Sequence, residues 1–482
     1  MDDEEHAHGC RPGHGLWSDG AVTTPTGPGA PRSLLVGLLT SVVAVAFESV
    51  AVATAMPRAA RDLGRISLYA WAFTMFVLGM VVATAIAGRI VDRIGPVWPV
   101  LAGQALFVVG LVTAGSATSM PMLIAARFGQ GLGGGAFNLA FMVVIARAYD
   151  PAARARVMTA FSVCWTLPAF LGPFVAGWLT DHLSWHWVFW SVAPVMVLAM
   201  LVMAPAMLSL RSTERAPVDD SGALPAPVPV WAALVTGAGV AGVQYGGTVG
   251  GPRGLAVALI AVVALVVGVP RLMPLGFLRF GRGLVAVVWA RLLLAGAFFA
   301  SESFLPLMLV EQRHMSLTRA GLAITVGSLG WTFGSWLQSR SWLSWRRDVI
   351  VIVGVVHLSV GLALVTTFAR FPALPLVVPA IGWVLAGIGM GMAVASTSLV
   401  VMALSPGQLL GRNSSSLQIG DGLGTSILGG VAGAVFAALH GRVAPSHTFG
   451  TVFAVGLVAA AASILVSVRV GAVVNESRDS DT

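Results

Sequence analysis

The chain contains no lysine, and its 28 basic residues are all arginine. Charged residues of both signs make up only 10% of 482 positions, against about a quarter in soluble domains. So little charge cannot cover a water-soluble globule of this length. The balance is apolar, 57% of residues with a mean hydropathy of +0.87. A soluble enzyme or binding domain is excluded, and a polytopic membrane protein is implied. Cysteine is nearly absent too: Cys10 and Cys164 lie far apart in different surroundings, which argues against a structural disulfide. The chain opens on Asp2, Asp3, Glu4 and Glu5, where a signal peptide would carry positive charge. No cleavable signal is recognisable, and the first span is expected to target the chain. Also missing are a nucleophile–base pair, a metal-ligand constellation and a phosphate-binding loop. No enzymatic activity, cofactor or metal is expected.

Long apolar runs are what the sequence has instead. Residues 1–32 are polar and rich in glycine and proline, and read as a disordered cytoplasmic tail. His6, His8, Cys10 and His14 within it read as solvated side chains. From Ser33 onward, runs of a length to cross a ~30 Å hydrocarbon core recur. They lie near 33–57, 69–88, 96–117, 121–147, 155–179 and 186–209, a bundle over 33–210. A polar cytoplasmic linker, 211–229, leads to two glycine-rich runs within 230–271. Six more follow near 284–310, 317–338, 349–368, 374–403, 414–439 and 448–470, a second bundle over 284–470 with a cytoplasmic tail at 471–482. Fourteen spans are expected. With both termini in the cytoplasm, eighteen arginines fall inside and eight outside, the sense required by the positive-inside rule in a cell membrane.

A repeat appears at a spacing of 256 residues. Gly131-Leu132-Gly133-Gly134-Gly135 matches Gly387-Ile388-Gly389-Met390-Gly391, Arg156 falls on Arg412, and Gly177 falls on Gly433. So long a period means two homologous bundles in the same orientation, with the runs in 230–271 inserted between them.

Several motifs sit on this frame. Gly88-Arg89-Ile90-Val91-Asp92-Arg93-Ile94-Gly95 reads as a tight charged loop, with Asp92 favoured at the start of the next helix and Arg93 free to pair with a neighbour. Span 4 carries Arg127-Phe128-Gly129-Gln130-Gly131-Leu132-Gly133. Span 5 carries Pro168-Ala169-Phe170-Leu171-Gly172-Pro173-Phe174-Val175-Ala176-Gly177, and Leu179-Thr180-Asp181-His182-Leu183-Ser184-Trp185-His186-Trp187 precedes span 6. The first resembles the loop between spans 2 and 3 of the major facilitator superfamily, with Pro96 and Val97 in place of its trailing basic pair. The span 4 stretch is similar to that family's R-x-x-Q-G-x-G. Span 5 resembles an antiporter signature in which Pro168 and Ala176 replace two glycines. The last stretch resembles the fourteen-span drug:proton antiporter family (QacA/EmrB type), with His186 where that family has arginine. The resemblance implies an all-α fold of two six-helix bundles plus two extra spans, and transport by alternating access. The glycines and prolines also admit a purely structural reading, close helix packing and a bend.

Ionisable groups inside spans cost about 2.5–3.5 kcal/mol or more each, so each asks for a reason. Counting from the span ends at 1.5 Å per residue, Glu48 and Arg127 reach the same depth and are expected to pair. Glu302 has no basic partner at its level, because Trp383 stands where the repeat would place the arginine. Burial without a countercharge favours the protonated form of a carboxyl, which suits a proton carrier. Arg291 is expected to snorkel toward the cytoplasm. Asp421 lies in the inner third of span 13, His357 in span 11, and Asp92 is expected to latch onto Arg412. Each has a structural alternative: an ion pair, a hydrogen-bonded acid, a packing or gating role, a packed histidine.

The functional expectation is a proton-coupled exporter of small amphipathic or cationic compounds, monomeric, driven by a proton gradient and needing no nucleic acid. Export of an envelope lipid or secreted metabolite, and a non-transporting membrane sensor or scaffold, are the alternatives.

Overall fold

The computed structural model describes residues 31–149, 151–213, 229–274, 276–340, 342–343, 345–405 and 410–473. Most of both tails and of the linker, and with them Cys10 and the tail histidines, lie outside the described residues. The described chain is all helical. The helices of the first bundle are α1 (Arg32–Asp62), α2 (Trp71–Ile94), α3 (Val97–Gly115), α4 (Met120–Ala148), α5 (Pro151–His182), α6 (His186–Trp190) and α7 (Val192–Thr213). A hairpin of α8 (Val230–Val249) and α9 (Gly251–Leu272) follows. The second bundle is α10 (Leu284–Arg313), α11 (Leu317–Gln338), α12 (Arg347–Arg370), α13 (Val377–Leu404), α14 (Leu410–Leu439) and α15 (Pro445–Ser467).

Among the described residues, twelve helices are long and apolar enough to cross a membrane. The expected fourteen is not reached. The helices α8 and α11, of 20 and 22 residues, have the length but are diluted by glycine, threonine, serine and glutamine. The dilution follows from packing. Gly327, Gly330 and Gly334 of α11 lie where a Cβ would strike α13, and Gly246 of α8 lies against Gly254 of α9. Small residues let backbones approach, at the expense of apolar surface.

The charged stretch after span 2 also differs from expectation. Nothing in Gly88–Ile94 breaks a helix, so α2 runs on to Ile94 and the turn shrinks to Gly95 and Pro96. Gly95 stops the helix at φ +80°, a conformation that favours glycine, and its N–H bonds the Val91 carbonyl at 2.9 Å. Gly88 therefore lies inside α2, Arg93 is exposed in its last turn, and the Asp92 backbone belongs to the end of α2, not the start of α3. The side chains of Asp92 and Arg412 lie outside the described residues, and so does the latch expected between them.

The repeat in the sequence has a counterpart in the packing. In α4, Gly131 and Gly135 face the carbonyls of Phe76 and Met80 in α2, while Gly133 faces Gly103 and Phe107 in α3. In α13, Gly387 and Gly391 face Gly327 and Trp331 in α11, and Gly389 faces Gly354 and Leu358 in α12. Each glycine stripe seats one helix between two neighbours, and the seating is the same in both bundles.

Candidate functional site

Arg127 and Glu48 form an ion pair within the first bundle, with side chains 2% and 0% exposed. Arg127 Nη1 also donates to Gln130 Oε1 at 2.8 Å, its Nε donates to the Ala72 carbonyl at 3.2 Å, and its guanidinium lies 4.1 Å over the Phe76 ring. Three helices, α1, α2 and α4, thus meet on one cation. Gln130 stands one turn after Arg127 on α4, which is why its amide reaches the same guanidinium. Oε2 of Glu48 and Nε2 of Gln130 are enclosed and have no hydrogen-bond partner among the described residues.

The second bundle holds a different pair. Arg291 does not snorkel: its Nε and Nη2 bond Asp421 Oδ1 and Oδ2 at 2.5 and 2.8 Å, a bidentate fork. Its Nη1 donates to the Val394 carbonyl at 2.7 Å and to Thr397 Oγ1 at 2.9 Å. The reason is local supply. Two acceptors on α13 and a carboxylate on α14 surround the guanidinium in place, so reaching for water would lose four hydrogen bonds. The Asp421 side chain remains 28% exposed. The sequence singled out Arg291 and Asp421 separately but did not pair them, and nothing in it named Thr397.

Glu302 stands apart. It is half-buried on α10 and has no hydrogen bond or ion pair among the described residues. His357 hydrogen-bonds the Val353 carbonyl of its own helix at 2.8 Å, as a packed histidine would.

The two bundles meet chiefly at the end expected to face outside. Gly177 of α5 lies where a Cβ would come within 2.6 Å of Thr318 Cα, and Gly321 of α11 within 2.3 Å of the Pro173 carbonyl. On the opposite side, Gly433 of α14 meets Ala70 just before α2. The repeat partners Gly177 and Gly433 thus do the same work, each from its own bundle. Gly172 packs inward against Val50 of α1, and α5 continues as a helix through Pro168 and Pro173. Asp181, at the end of α5, accepts the Thr318 N–H at 2.9 Å, its hydroxyl at 2.6 Å and the Leu317 N–H at 3.4 Å. It caps the N-terminus of a helix in the other bundle. The sequence placed Asp181 in a motif but gave it no partner. Tyr69 donates its hydroxyl to the Ser303 carbonyl at 2.5 Å, and Glu311 comes within 4.0 Å of both Arg61 and His440. Between α2, α10 and α14, Phe73, Thr74, Val77, Phe299, Ser303 and Thr425 enclose about 20 Å³, room for about one water.

Two bundles of like packing are thus joined at one end, each with an arginine–carboxylate pair between its helices. Residues 38–381 match the Major Facilitator Superfamily. The chain belongs to that superfamily. Membership makes it a multi-span membrane transporter of small molecules and not an enzyme. The chain is 26% identical over 418 residues to the multidrug transporter protein MdtP of Bacillus subtilis (strain 168), covering 85% of this chain and 76% of the relative. It is 24% identical over 409 residues to the multidrug efflux pump SdrM of Staphylococcus aureus (strain N315), covering 83% and 89%. The crystal structure of a POT family transporter in complex with 5-aminolevulinic acid superposes with a TM-score of 0.63 at 12% identity, covering 91% of this chain and 97% of that one. At that identity the likeness speaks for the fold alone.

Proposed function

We propose that this superfamily member is a proton-coupled exporter of small amphipathic compounds, of the fourteen-span antiporter type. All fourteen long helices, including α8 and α11, cross a cell membrane, and both termini lie in the cytoplasm. The names of the two bacterial relatives support a multidrug substrate range.

One observation carries the coupling. Of the three acids expected to matter inside the helices, Glu48 and Asp421 are each gripped by an arginine, whereas Glu302 has no such partner. A carboxyl held by arginine stays charged and is poorly placed to carry protons; one without a countercharge can cross as the neutral acid. In the cycle proposed, the bundles rock about their shared axis. Glu302 takes a proton from the side of high proton concentration and gives it up on the other, where a substrate group replaces it.

The test is substrate flux in proteoliposomes under an imposed pH gradient. Wild type should move substrate against its own gradient, and Glu302→Gln should retain only downhill exchange. Full gradient dependence in Glu302→Gln would remove Glu302 from the mechanism.

A further inference from the structure

The segment between α9 and α10 is short of regular structure but firmly held. Phe277–Arg279 form a single 3-10 turn, flanked by Gly276 at φ +84° and Phe280 at φ +49°. A left-handed backbone is costly for a residue as large as phenylalanine and persists only where its surroundings fix it. Here α10 does so. The rings of Phe277 and Phe280 both stack on the Trp289 indole, with centroids 4.2 and 4.7 Å away and planes 6° and 19° from parallel. The indole N–H donates to the Phe277 carbonyl at 2.8 Å. Phe277 is buried in this arrangement, while Leu278, Arg279, Phe280 and Arg282 face outward.

The segment after α15 is fastened to the same turn. The Gly283 N–H donates to the Arg469 carbonyl at 3.1 Å, and Val470 and Val473 are buried in the core that holds Phe277. Arg469 is thereby brought beside Arg282. Arg279, Arg282 and Arg469 are all exposed, and among the described residues none of the three has an ion pair. Asp348, the acid that this segment touches, is already engaged. It accepts a fork from Arg346 at 3.1 and 2.6 Å and the Val473 N–H at 3.2 Å. Three cations without a countercharge therefore lie among Leu278, Phe280 and Val468, which are 54%, 47% and 65% exposed. Arginines at a membrane surface attract anionic headgroups, and apolar side chains beside them enter the boundary with the acyl chains.

We propose that the turn between α9 and α10, together with the Arg469 segment, is a binding surface for an anionic phospholipid. The phosphate lies among the three arginines, and the acyl chains run beside Leu278, Phe280 and Val468. The inference needs only that the ends of α9, α10 and α15 share one face of the bilayer, and it is independent of proton coupling.

The experiment offers the full-length protein equal amounts of phosphatidylglycerol and phosphatidylcholine with the same acyl chains, and counts retained lipid by native mass spectrometry. One arginine near an anionic surface contributes about fivefold to the attraction, so wild type should retain the anionic lipid about tenfold or more over the other. Arg279→Gln, Arg282→Gln and Arg469→Gln should each lower that ratio severalfold, and the triple variant should bring it to about one. The three side chains are exposed, so an unchanged melting temperature is expected to accompany the loss. Arg340→Gln, which changes an exposed arginine stacked on Trp336 at the end of α11, should leave the ratio as it is. No preference in wild type, a preference kept by the triple variant, or an equal loss in Arg340→Gln overturns the proposal. So does a preference that emerges only once residues 474–482 are removed, since that gives the arginines to Glu476, Asp479 and Asp481 of the chain's own tail.

Discussion

Arg127 shows how a single residue can be expensive and still necessary. Buried at 2% exposure, its guanidinium is neutralised by Glu48 and donates further to Gln130 and the Ala72 carbonyl. Removing one partner of such a pair strands the other charge, which costs about 3–5 kcal/mol. Arg127→Ala is therefore expected to lower the thermal unfolding midpoint of the purified protein sharply. Adding Glu48→Gln to that variant should recover part of the loss, because no unpaired carboxylate then remains. A double variant no more stable than the single one would show that the pairing has little part in the effect. Asp421→Asn should be milder, since Arg291 keeps the Val394 carbonyl and the Thr397 hydroxyl and the new amide oxygen still accepts.

At the scale of the helix, two of the features that join the bundles at the expected outer end respond differently to substitution. Asp181 caps α11 from the other bundle, so Asp181→Ala should weaken the clasp by about 0.5–2 kcal/mol without unfolding either bundle. Spin labels at the ends of α5 and α11 should then report a larger population of long distances; an unchanged distribution would deny Asp181 a role in closure. Gly321 admits no such compromise. A Cβ there would sit 2.3 Å from the Pro173 carbonyl, so Gly321→Val should keep the bundles apart at this end and depress transport while the protein still inserts. Gly131 packs as tightly, but inside one bundle, so Gly131→Val is expected to reduce the amount of folded protein.

For the whole molecule, the inserted hairpin decides the topology. Gly250 and Gly251, at φ +66° and +64°, make the turn between α8 and α9 in a conformation few other residues adopt. The helix α8 touches both bundles: Gly247 packs on Ala434 of α14, and Trp71 of α2 donates to Thr248 at 3.4 Å. If α8 and α9 both cross, a cysteine placed at Gly250 should be labelled by an impermeant reagent from the side opposite to one placed at Gly276. Labelling of both from one side would leave the hairpin half inserted and reverse the orientation expected for the second bundle.

Membrane residence, the run of long helices, the repeat and the superfamily pattern were legible in the chain because each depends on local composition or on spacing along it. The Glu48–Arg127 pair was legible as well, since helical rise converts sequence position into depth. The Arg291–Asp421 fork was not, because the direction a long side chain takes depends on acceptors supplied by other helices. The same holds for the Asp181 cap. Depth in a bilayer follows from counting residues; which neighbour stands at that depth follows only from how the helices pack.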